Sequence, residues 1–138
     1  MTFAAKTDVS PEKSRAEIER TLMRYGASHF GYASMPDVAV VMFQAHGRSL
    51  KFSLPLPAKK YPQTQPQYEQ VIRSRWRALA LAIKAKLECV ESKISTFEEE
   101  FLSNIVLPNG QTMGERYIPE IAIAYESKKM PPLLGFAS

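Results

Sequence analysis

The chain reads as one α+β domain: an N-terminal helix, a three-stranded antiparallel meander, a long basic helix packed on the sheet, and two further C-terminal helices. Three observations carry this expectation. Apolar residues in 18–25 recur at helical spacing between a cap and a glycine, residues 30–54 alternate between turn signals, and residues 72–94 carry one continuous apolar stripe. At 138 residues the chain is long enough for a core that needs neither metal nor disulfide staples. A single domain over 1–138 is expected, with a flexible N-terminus at 1–9 and a proline-rich loop at 55–67.

The first helix is signalled at both ends. Ser10 is a natural N-cap, Pro11 fits the first helical position because its missing N–H would be unpaired there anyway, and Gly26 closes the helix in a left-handed conformation. Ile18, Leu22 and Tyr25 share one face, and Arg15, Glu17, Glu19, Arg20 and Arg24 are mostly solvated.

Phe30 and Tyr32 then alternate with small residues, and "MPD" at 35–37 breaks the chain. "VAVVMFQA" at 38–45 is apolar on both faces, which predicts a central strand. After "HGR", Leu50, Phe52 and Leu54 alternate with Ser49, Lys51 and Ser53, as in a half-exposed third strand. The segment 55–67 holds four prolines and few apolar side chains, so it predicts a mobile, extended connection.

Ile72, Trp76, Leu79, Ile83, Leu87, Val90 and Ile94 form a stripe about six turns long. Arg73, Arg77 and Lys84 lie along one border and Arg75, Lys86 and Lys93 along the other; Ser74, Ala78, Leu81, Ala82, Ala85 and Cys89 make a small, apolar back. Two apolar sides predict a helix packed twice, once on the sheet and once on another helix or subunit.

"STFEEEFLSNIVL" predicts a helix capped by Ser95 or Thr96, burying Phe97, Phe101, Leu102 and Ile105. Its three glutamates suit a helix start better than a metal, since consecutive helical side chains diverge by about 100°. Thr112 and Glu115 form a second capping box, opening a helix with Met113, Tyr117, Ile121 and Tyr125 on it and Pro119 bending it. The apolar terminal stretch "MPPLLGF" is expected to pack on the domain or on a neighbouring subunit, which with the helix back predicts a homo-oligomer.

No catalytic constellation is visible. The sequence has no phosphate-cradling glycine loop, no cysteine pair and no serine elbow. His29 and His46 sit in strand and turn contexts, Cys89 is alone, and the aspartates are Asp8 and Asp37, in a tail and a turn. A non-enzyme without metal or cofactor is expected. No apolar run is long enough to span a membrane and the N-terminus lacks an apolar leader core, so a cytoplasmic protein is expected.

The functional signal is charge. The chain carries a formal +4, and residues 73–87 hold five cations without an acid. Two readings stay open. The cations of the long helix either emerge at packing seams with their stems covering apolar surface, or Arg73, Arg75, Arg77 and Lys84 line a groove for a polyanion. Arginines in the first half of a helix are poorly placed for its dipole, a cost that phosphates would relieve. Lys51 on the third strand and Lys59 and Lys60 on the loop are further candidates for the same interface.

"SPEKSRAEIERTLMRYGA", "GRSLKFSLPLP", "RWRALALAIKAKLE", "TFEEEFLSNIVLPNGQTMGE" and "MPPLLGF" together resemble a family of small proteins encoded by bacteriophages and prophages. The resemblance implies a bacterial host cytoplasm but transfers no catalytic motif. The order helix, meander, long basic helix is also similar to the core of phage single-strand annealing proteins of the Rad52-like kind. That implies single-stranded DNA binding or annealing in recombination or replication, with phosphates on the groove and bases stacked on aromatic rings. The competing expectations are an anti-defence inhibitor, anti-CRISPR-like, that binds a host defence protein, and a sponge for a nucleotide signal.

Overall fold

A computed structural model describes residues 4–130 of the chain. Helix α1 spans Pro11–Met23, and strands β1 (Ser28–Ser34), β2 (Val38–Ala45) and β3 (Arg48–Pro55) follow. Next come α2 (Gln65–Glu91), α3 (Phe97–Phe101), a 3-10 turn at Leu102–Asn104 and α4 (Met113–Ser127). The α+β architecture expected from sequence is therefore the one observed. The apolar stretch 131–138 lies outside the described residues.

The caps work as the residue types dictate. Ser10, Thr64, Thr96 and Thr112 each accept a backbone N–H of the first turn, and the latter three complete capping boxes with Gln67, Glu99 and Glu115. Thr64 sets the start of α2 at Gln65, so residues 65–67 belong to the helix rather than to the expected loop. The segment 4–9, read as a flexible lead-in, is tied to α2: Gln70 Nε2 donates to the carbonyls of Ala5 and Thr7 at 3.2 and 2.9 Å, and Ala4 is buried.

The sheet is an antiparallel meander in the order β1-β2-β3. Its alternation sends Ala39, Val41, Phe43, Leu50, Phe52 and Leu54 into one core with Ile18 and Leu22 of α1 and Trp76, Ile83 and Leu87 of α2. The expectation that β2 is buried on both faces fails, because Met42 and Gln44 on its other face are exposed. Its apolar run reflects β propensity rather than two packed layers. Along β1 the register slips between Ser28 and Gly31, and His29 takes φ 58° there; it is a bulge residue, not a regular strand position.

The outer edge of β3 is closed by residues 104–106. Ile105 bridges Leu50, Val106 N–H donates to Ser49 O at 2.8 Å, and Asn104 Nδ2 donates to Lys51 O at 3.1 Å. These contacts explain why the helix expected over "STFEEEFLSNIVL" is short: its second half is used as strand-like cover, with Ile105 buried and Leu102 left exposed.

The α2 stripe is as read through Val90, but α2 ends at Glu91. Lys93, at φ 62°, turns the chain, and Ile94 is 77% exposed rather than part of the core. Ala80 joins the buried face, whereas Ala78, Ala82 and Ala85 on the back are exposed; among the described residues no helix covers them.

Helix α4 docks by its first turn. A Cβ added at Gly114 would stand 3.1 Å from Ser103 O, so glycine permits the close approach to the 3-10 turn. Beyond that turn, Ile121 and Tyr125 are exposed. Pro119 sits within the helix, which runs on to Ser127.

Candidate nucleic-acid interface

Docking of α1 on α2 creates a seam rich in charged side chains of both signs. Ser14, Ile18, Thr21 and Leu22 turn inward from α1, which brings Glu17 and Arg24 beside the polar border of α2. Arg77 ion-pairs with Glu17, both side chains being partly buried. Arg73 donates to Gln70 Oε1, the same side chain that holds the N-terminal segment. Those two arginines are thus engaged in the fold by their guanidinium groups.

Farther along the seam the balance changes. A groove of about 370 Å³ opens between Thr21, Arg24 and Tyr25 of α1 and its flank and Lys84, Leu87, Glu88 and Glu91 of α2. Neither Arg24 nor Lys84 has an ion-pair partner among the described residues, and Arg20 lies beside Arg24 around an adjoining hollow. Tyr25 donates its hydroxyl to Glu91, and this bond holds the tyrosine pKa above its ordinary value, with desolvation and the Glu91 charge adding to the shift. Glu91 is thereby drawn toward Tyr25.

The other candidates are scattered. Arg75 lies on the opposite border of α2, exposed, near the side where Lys86 donates to Glu100 O and stands over the Phe101 ring. Lys51 belongs to the open sheet face and pairs with Glu115 at 3.5 Å. The hydrogen bonds of Thr112 and then the Lys51 charge hold the Glu115 carboxyl below its ordinary range. Lys59 donates to Gln65 Oε1 at 3.2 Å, and Lys60 borders a shallow hollow with the fully exposed Tyr61. The three-arginine cluster expected in one groove is therefore split: Arg73, Arg77 and Lys84 share the α1 side, and Arg75 does not, because side chains two residues apart on a helix diverge by about 200°.

Sequence reasoning missed Arg20 and Arg24 as partners of Lys84. Their spacing of four residues on one α1 face was visible, but which border of α2 they join follows from docking. Among the residues lining this groove Tyr25 is the aromatic one, its hydroxyl tied to Glu91, and no shelf of several rings forms there. Phe30, Phe43, Phe52, Phe97 and Phe101 stack on one another inside the core, for example Phe97 on Phe101 at 4.5 Å.

Among the described residues, no group of three or more His, Cys, Asp or Glu could hold a metal ion, and no helix is long and apolar enough to cross a membrane. Comparison with protein-family models, curated proteins and solved structures returned no match.

Proposed function

We propose that this chain is a nucleic-acid-binding accessory protein of a bacteriophage or prophage that holds a single strand by its phosphates, in recombination or replication. The observation that carries the reading is the α1–α2 groove with Arg24 and Lys84 on its rim and Arg20 alongside, cations that form no ion pair among the described residues, although Glu88 and Glu91 line the same groove. A phosphate backbone laid along this seam would meet those three first. Arg73 and Arg77 would extend the track only by exchanging Gln70 and Glu17 for phosphate oxygens.

With the phenylalanines turned to the core, Tyr25 is the one ring lining this groove, so binding should be weak, tolerant of sequence and strongly salt-dependent. Three phosphate contacts on a single strand give a log–log salt slope of about −2.

The test is fluorescence anisotropy of a labelled single-stranded oligonucleotide at low and rising salt. Changing Arg20, Arg24 and Lys84 together to glutamine should abolish the salt-dependent part of binding while leaving the far-ultraviolet circular dichroism unchanged. Changing Arg75 alone should have little effect. Wild-type protein that ignores single-stranded DNA and RNA at low ionic strength would overturn the reading in favour of a protein-binding, anti-defence role. Saturable binding of mononucleotides with none of the longer strand would favour a nucleotide sponge.

A further inference from the structure

Beyond its first turn, helix α4 presents an apolar face that no described element covers. Gly114, Ile118, Ile121, Ala122 and Tyr125 follow one another at spacings of four, three, one and three, which places them on one side of the helix. The first of them is buried against Ser103, but Ile118, Ile121 and Tyr125 are 63%, 53% and 84% exposed. Leu102, on the 3-10 turn against which α4 docks, is half exposed as well.

We infer that a second copy of the chain covers this face, the two α4 helices running antiparallel about a two-fold axis between Ile121 and Ala122. The face is complementary to itself in that arrangement. Ile118 of one copy meets Tyr125 of the other along the centre of the seam, and at the axis Ile121 packs on its own copy along one flank and the small Ala122 on its own copy along the other, which lets the helices approach at the crossing.

The ends match in charge. The same register brings Lys128 and Lys129, at and just past the C-cap, level with the first turn of the partner's α4, which carries Glu115. Glu115 spends Oε1 on the Thr112 amide and on Lys51, which leaves Oε2 for a lysine across the axis. Opposed helix dipoles favour the pairing further, since each N-terminus lies by the partner's C-terminus. A parallel pair would instead bring Glu115 to Glu115 and Lys128 to Lys128.

The exposed part of the stripe with Leu102 offers roughly 600 Å² per copy, so roughly 1,200 Å² in all, at the lower edge of specific interfaces. The association should therefore be reversible, with a Kd in the micromolar range. This inference does not rest on the nucleic-acid reading.

The test uses the full-length chain. Sedimentation velocity across low to high micromolar concentrations should show a monomer–dimer equilibrium, and Ile121→Asp should shift it to monomer by at least tenfold in Kd. Orientation is read by cross-linking in a Cys89→Ser background, mixing an Ile118→Cys chain with a Tyr125→Cys chain in glutathione buffer. The mixed disulfide should dominate over both homodisulfides. A wild-type chain that stays monomeric throughout overturns the inference, and so does preferential cross-linking of Ile118→Cys to itself, which marks a parallel pair. A monomer that dimerises only when Leu133, Leu134 and Phe136 are changed to serine would assign the face to the chain's own C-terminal stretch and overturn it too.

Discussion

Replacing Trp76 with alanine removes the largest side chain that α2 sends into the core. The indole is 3% exposed and packs in one cluster with Ile18 and Leu22 of α1 and the inward residues of the sheet, so its loss opens a space shared by three elements. Truncation of a buried aromatic costs about 3–5 kcal/mol. The Arg15 guanidinium stands 5.1 Å from the ring centroid and would lose its partner, which adds roughly 0.5 kcal/mol at this partly solvated position. The sum, about 3.5–5.5 kcal/mol, is a large share of the 5–15 kcal/mol that a domain of this kind typically holds. Urea unfolding followed by far-ultraviolet circular dichroism is the suitable assay, because the substitution deletes the chain's single tryptophan and with it the usual fluorescence probe. With an m-value of about 1.5–2 kcal/mol/M the midpoint should fall by roughly 2–4 M. A loss below about 1.5 kcal/mol would mean that α2 does not anchor the sheet through Trp76.

Ser14 is fully buried and its hydroxyl finds no partner among the described residues, so Ser14→Ala should stabilise the fold by about 1 kcal/mol; a lower urea midpoint would refute that account. Gly114→Ala would push a Cβ to 3.1 Å from Ser103 O in the first turn of α4, where helix propensity returns little, and should cost about 1 kcal/mol by the same assay. Burial, with the charge and hydrogen bond of Glu19, raises the Tyr32 pKa to about 12. The folded state therefore keeps its phenol proton after the unfolded chain has released it, and stability should be intact below about pH 10 and decline as pH rises from there toward 12. Tyr32→Phe should blunt that decline, as read from unfolding midpoints across the alkaline range.

Local chemistry was the most legible part of the sequence. Ser10 with Pro11, Thr112 with Glu115, and the break at 35–37 fix element boundaries through interactions within a few residues, and each was found where the residue types put it. Errors arose where a distant element decided the outcome. Ile94 continues the α2 period numerically, yet the chain turns at Lys93 before reaching it. Ile105 was expected in a helix and instead pairs with Leu50, more than fifty residues earlier. Ile121 and Tyr125 have the pattern of core residues, but periodicity reports a sticky face without naming what covers it. The candidate site divides in the same way. The cations on α2 could be placed on its two borders from sequence, but their fates, Arg77 held by Glu17 and Lys84 left free beside Arg24, depend on how α1 lies.

The docking of α1 on α2 has a consequence for synthesis. The meander can zip up as soon as residues 28–55 have emerged, because its pairs are between successive strands. Its helix-side face, with Val41, Phe43 and Phe52, must then wait until the whole of α2, through Glu91, has been made. At ribosomal speeds of about 5–20 residues per second this leaves an apolar sheet surface without its main cover for seconds. In that interval α1 is, of the described helices, the one already made, which gives its place ahead of the meander a protective value in the nascent chain quite apart from its place in the finished fold.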